Sequence, residues 1–135
     1  MKNFNRMNVL TLSIKQKYFD EIVAGTKKVE TREIRPSNFK RYCRYLHDGK
    51  EYTEIDDVPN DDKEVDVVPV KYDALKLLTG EYKGKRPYVV VEVKSSEVIF
   101  IVDENGKNRV YEVDGNEYLE AVIDYSLGNI IEKSF

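Results

Sequence analysis

Gly25-Thr26-Lys27-Lys28-Val29-Glu30-Thr31-Arg32 decides how this chain is read. It follows an amphipathic helix and opens a strand that carries charge where strands normally carry apolar side chains. Upstream, Asn8-Val9-Leu10-Thr11-Leu12-Ser13-Ile14 alternates apolar and polar residues, the period of a half-buried strand. Ser13 can then cap a helix, and Gln16 stands at the capping-box spacing three residues on. Tyr18, Phe19, Ile22 and Val23 form an apolar stripe, so the spacing predicts a helix over 14–24. Gly25 is placed to close that helix in a left-handed conformation. The chain returns as a strand over 28–34, and Pro36 ends it because proline cannot donate to a ladder.

Further along the patterns are less regular. Phe39, Tyr42, Cys43 and Leu46 share a helical face, so 37–46 reads as a short helix that Ser37 could cap. Residues 47–64 contain Asp48-Gly49, Pro59-Asn60 and a dense acidic run, and read as a long, mobile surface loop. A short edge strand is expected over 65–70, with Pro69 at its end, and one or two helical turns over 72–78. The second half is β-rich. Strands are expected over 88–94, 98–103 and 108–113, the last two flanking the hairpin signal Asn105-Gly106. Asp114-Gly115 marks another turn, and 118–126 fits helix or strand, the hairpin context favouring strand. Short strands at turn-punctuated spacing, with the helices early, predict a mainly β (α+β) fold closed or partly closed into a barrel.

Composition narrows the class. At 135 residues the chain forms one domain with a core that needs no metal or disulfide. With 41% hydrophobic and 35% charged residues it reads as soluble and globular. No apolar run reaches membrane-span length, residues 1–8 lack a secretory apolar block, and the single cysteine points to a reducing compartment, so a cytoplasmic protein is expected. The net charge of −3 hides a basic stretch over 15–45 followed by an acidic one over 46–68. A local basic patch suits an anionic partner at one site, while the overall acidity argues against a protein that coats nucleic acid non-specifically. The plain alternative is two charged blocks facing solvent or each other.

Most standard catalytic sets are excluded. One histidine, His47, would have to serve any histidine-dependent nucleophile. Cys43 and His47 would meet on a helix, yet Cys43 reads as a small packed hydrophobe. The acidic loop lacks calcium-loop order, there is no zinc cluster and no phosphate-cradling glycine loop, so neither metal nor cofactor is expected. What remains is the charged strand. Alternation puts Lys28, Glu30 and Arg32 on one face, with Val29, turned inward, and Thr31 on the other. Lys27 stands at the turn before the strand. Arg32 offers a planar fork, Lys27 a point charge, and Glu30 can orient either or accept a proton. A solvated, ion-paired strand face would look the same.

The run from Leu12-Ser13-Ile14-Lys15 through Tyr18 and Ile22 to Arg32 resembles the signature of the ASCH domain, a small β-barrel family of the PUA-like superfamily. The family pattern is a strand, a short helix, then Gly-x-Lys-x-x-Glu-x-Arg, and Gly25, Lys27, Glu30 and Arg32 hold those positions. The match is specific over about the first quarter of the chain. Beyond it lie only the β-rich half and a terminal strand ending in Leu127-Gly128. The resemblance implies one PUA-like barrel with a short N-terminal helix and one or two further short helices. It also implies RNA or a nucleotide-like ligand bound in a cleft floored by Lys27, Glu30 and Arg32. Some members cleave small amides of acetylated cytidine, and nuclease activity has also been suggested. In the amidohydrolases the Lys acts with a Thr at the position held here by Glu30 and with a distant Glu. Lys27 matches, Glu30 replaces the nucleophile, and Thr31 lies on the opposite strand face.

Three further groups are candidates. Glu92 interrupts an apolar strand and could act as the second carboxylate if desolvated, though the pattern favours a solvent-facing residue opposite a core of valines. Lys85 and Arg86, in the loop Tyr82-Lys83-Gly84-Lys85-Arg86, could clamp a phosphate backbone, with Tyr82 stacking on a base. These residues leave binding and catalysis both open, with an interaction module carrying no small ligand as a third reading.

Overall fold

The computed structural model describes residues 7–80 and 85–135. The chain order is β1 (Val9–Ser13), α1 (Gln16–Ala24), β2 (Val29–Ile34), α2 (Phe39–Tyr42), β3 (Cys43–His47) and β4 (Lys50–Tyr52). It continues with a 3-10 turn (Ile55–Asp57), β5 (Val65–Pro69), β6 (Ala74–Leu78), β7 (Tyr88–Phe100), β8 (Val110–Val113), β9 (Asn116–Leu119) and β10 (Ala121–Lys133). At 52% strand and 13% helix the fold is mainly β with few helices, of the small β-barrel-like α+β class expected, and its main sheet is curled. None of the described helices is long and apolar enough to cross a membrane.

Contacts divide the chain into two compact units. The first comprises the described residues of Met1–Glu30, Lys71–Ser96 and Tyr125–Phe135. Its frame is β1 and β6 with most of β7 and β10, neighbours in the order β1-β6-β7-β10. β1 runs parallel to β6, pairing Leu10 with Leu75 and Leu12 with Leu77. β6 runs antiparallel to β7, pairing Ala74 with Glu92. Leu75, Leu77, Val89, Val90 and Val91 are fully buried or nearly so. Each such aliphatic side chain contributes about 1.5–3 kcal/mol of burial. α1 buries Phe19 and Ile22, and the Phe19 ring lies 5.9 Å from that of Phe135. The second unit comprises Thr31–Val70 and Glu97–Asp124. It holds a β4-β3-β5 sheet and the β8-β9 hairpin. Ile34, Tyr42, Cys43 and Ile123 are among its buried residues.

Several elements differ from expectation. The capping box does not form: Lys15 is the N-cap and no side chain caps α1. Ser13 ends β1 instead, and Gln16 Nε2 donates to Asp20 Oδ1 at 2.8 Å. Residues 72–78 are not helical. Leu75 and Leu77 sit in a strand flanked on both sides, where a continuous apolar run is normal. The 37–46 helix stops at Tyr42, because Cys43–His47 becomes the central strand between β4 and β5. Within 47–64, Asp48-Gly49 is a two-residue hairpin turn with both φ positive, closed by the pairing of His47 with Lys50. Asn105-Gly106 closes a hairpin as expected, but a short one: Val102 bridges Asn108, Asp103 N–H donates to Lys107 O at 2.8 Å and Arg109 N–H to Ile101 O at 2.9 Å. The tight hairpin is at Asp114-Gly115, with φ of 51° and 81°. β7 runs unbroken across the expected gap, and β10 passes through Leu127-Gly128 to Lys133 rather than ending there.

Candidate functional site

The end of α1 sets the position of Lys27. Gly25 has φ of 79°, and its N–H donates to Ile22 O while Thr26 N–H donates to Glu21 O. This is the Schellman arrangement that glycine at C′ makes possible. Glu21 O also accepts from Lys27 N–H at 3.1 Å and from Thr26 Oγ1 at 3.1 Å. Three donors on one carbonyl fix the backbone on which Lys27 stands. Lys27 Nζ then lies 3.5 Å from Glu30 Oε1 and 5.3 Å from the centre of the half-exposed Tyr18 ring.

β2 alternates, but in the opposite sense for its valine. Val29 is exposed at 39% while Glu30 is buried at 5%. Thr31 and Glu33 face outward, Arg32 is half-buried and Ile34 is buried. The expectation that Val29 packs inward is therefore reversed: the buried face of β2 begins with a carboxylate. Thr31, on the exposed face, donates from Oγ1 to Asp124 Oδ1. Lys28 precedes the strand and is exposed, and its carbonyl accepts from Leu127 N–H at 2.8 Å. Arg32 belongs to the second unit.

A cavity of about 230 Å³ opens in the first unit, lined by residues that include Gly25, Lys27, Lys28, Val91, Gly128 and Asn129. Gly128 and Asn129 were missed in the sequence because Leu127-Gly128 read as a strand terminus. The usable signal was the glycine itself, since glycine inside a strand marks a close approach. That approach is real: a Cβ at Gly128 would collide with Glu92 Oε1 and come within 3.1 Å of Lys94 Cγ. Glu92 is half-buried, its carboxylate seated against a residue that lines the Lys27 cavity.

The other candidates are distributed differently. Lys85 is exposed. Arg86 donates to Ser13 Oγ at 3.2 Å, Leu78 O at 3.3 Å and Thr79 O at 3.4 Å, so its guanidinium ties together the ends of β1 and β6. Tyr82 lies outside the described residues. Cys43 and His47 occupy opposite ends of strand β3 rather than adjacent turns of a helix. Cys43 is wholly buried, and burial pushes its thiol up to about 11, against thiolate chemistry. His47 Nε2 donates to Asp61 Oδ1 at 2.9 Å. Among the described residues no three of His, Cys, Asp and Glu are grouped to hold a metal.

The arrangement can present an ammonium held by a buried carboxylate beside a cavity, with a second carboxylate behind one cavity wall. Compared with protein-family models, curated proteins and solved structures, the chain matches none of them.

Proposed function

We propose that the first unit binds RNA or a nucleotide-like ligand at Lys27 and Glu30, in the manner of the ASCH-type, PUA-like domains that the Gly25–Arg32 run resembles. The observation that carries this reading is Glu30, a strand carboxylate only 5% exposed and 3.5 Å from a lysine that lines a cavity. Burying a carboxylate costs free energy even when it is paired, and an apolar side chain would serve the sheet better. A buried carboxylate kept behind a cavity-lining lysine fits a recognition site, where few polar groups fix a ligand's orientation. Lys27 would meet a phosphate or carbonyl oxygen. Glu30 would hold the amine and accept from a base amino group.

Fluorescence anisotropy with a labelled single-stranded RNA tests this. Wild type should bind with an affinity that falls as salt rises. Lys27→Ala should bind roughly tenfold more weakly and lose about 0.7 from the log–log salt slope, the single-strand value for one phosphate contact. Lys107→Ala, in an exposed turn, should behave as wild type. Wild-type affinity and slope in Lys27→Ala would refute the reading.

The seating of Glu92 against Gly128 favours a second reading, a small hydrolase of modified nucleosides in which Lys27 and Glu30 move protons and Glu92 assists. Turnover of acetylated cytidine, abolished by Lys27→Ala and slowed by Glu92→Gln, would support it. Its absence at millimolar substrate would reject it.

A further inference from the structure

The second unit has a cavity of its own, about 340 Å³, and none of the candidates read from the sequence lines it. That volume is within the range of small-molecule sites. Five aromatic rings line it: Phe39, Tyr45, Phe100, Tyr111 and Tyr118. Phe39 and Tyr45 stack at 4.6 Å with planes 27° apart, and Tyr111 and Tyr118 lie 5.8 Å apart at 30°. Flat walls of this kind favour a flat occupant, because ring faces gain most from offset stacking.

The charges around the cavity are already matched. Lys40 pairs with Glu54. Arg35 pairs with Glu33 at 3.1 Å and lies 4.5 Å over the Tyr111 ring. Burial and the neighbouring Glu54 push the Tyr45 hydroxyl up, so it stays neutral and able to donate. No unbalanced cation is left in these pairs to draw a phosphate in, while Thr53, Tyr45 and Glu54 offer donors and acceptors to the edge of a heterocycle. Ile55, Phe100 and Leu119 also line the cavity, and they stand 52%, 40% and 45% exposed. An occupant would cover that apolar surface.

From this combination of aromatic walls, balanced charge and exposed apolar mouth, we infer that the second unit binds a neutral, planar heteroaromatic small molecule of nucleobase size. Every lining residue belongs to the second unit, and neither Lys27 nor Glu30 is among them.

Aromatic-carbon and amide NMR titrations of the full chain test the inference, with adenosine and adenosine 5′-monophosphate as probes. Adenosine should shift the Phe39, Tyr45, Tyr111 and Tyr118 resonances. The monophosphate should bind within about threefold of it, because the cations are already paired. Tyr111→Ala should weaken adenosine roughly tenfold or more, the scale of one lost base–aromatic stack. Leu119→Trp, a change at an exposed position, should block the mouth to a similar degree, so the test survives if Tyr111→Ala fails to fold. Unmoved aromatic resonances at millimolar adenosine would overturn the inference. So would shifts confined to the surroundings of Lys27 that vanish in Lys27→Ala, an outcome that would leave the first site standing alone.

Discussion

At the scale of single residues, two glycines and a cysteine make sharp tests. Gly25 adopts a backbone conformation that L side chains resist, and it aims Lys27. Gly25→Ala should cost about 1–2 kcal/mol of stability in a denaturant titration. Gly128→Ala should cost about 1–3 kcal/mol by overpacking, since the new methyl meets the Glu92 carboxylate. A loss below a few tenths would mean that Glu92 swings away freely. The thiol of Cys43 titrates near 11 in the fold instead of 9.0. The folded state therefore holds its proton more tightly, so stability is fully present below pH 9 and falls as pH rises through 9 to 11, by about 2–3 kcal/mol. Cys43→Ala should show a shallower decline over that window. The pair of His47 and Asp61 has the opposite sign. Hydrogen bonds from the His47 ring and from Lys63 N–H hold the Asp61 carboxyl below its usual range, so its stabilisation is present above about pH 4 and lost as acid protonates it. Asp61→Asn should flatten the acid side of a stability–pH curve.

At the scale of elements, β6 shows why local pattern has limits. Ala74-Leu75-Lys76-Leu77-Leu78 is a short apolar run, and periodicity alone does not separate a buried strand from a helical turn. Its neighbours decide: β1 comes from far upstream in parallel and β7 from downstream in antiparallel, and neither pairing is visible locally. The same holds for Cys43–His47, whose helical-looking spacing gives way to two strand partners. Where the signal was local, it was readable. The stripe of α1 and its Gly25 terminator are in the sequence, as is the Asp114-Gly115 turn, whereas Asp48-Gly49 was hidden by the acidic run around it. The capping box failed because Ser13 was needed as the last residue of β1. Leu75→Ala, inside that covered strand, should cost about 2–5 kcal/mol. A loss under 1 kcal/mol by denaturant titration would contradict its complete burial.

At the scale of the whole molecule, the β-rich class follows from the turn-punctuated second half, and the charged strand follows from eight consecutive residues. The cavity around that strand does not, because Gly128 and Asn129 lie about a hundred positions beyond Lys27. Only folding brings them to one wall. The inversion of β2 also escaped the sequence, since alternation fixes which residues share a face but not which face is buried. With a net charge of −3, any anionic ligand must be drawn by local cations, so binding should weaken with salt in proportion to the phosphates those cations contact. The central claim is that the paired Lys27 and Glu30 mark the ligand site, and amide-shift mapping of the full chain with a short single-stranded RNA tests it most directly. The largest shifts should fall at Gly25, Lys27, Glu30 and Asn129. Strong shifts elsewhere with those four unmoved would contradict it.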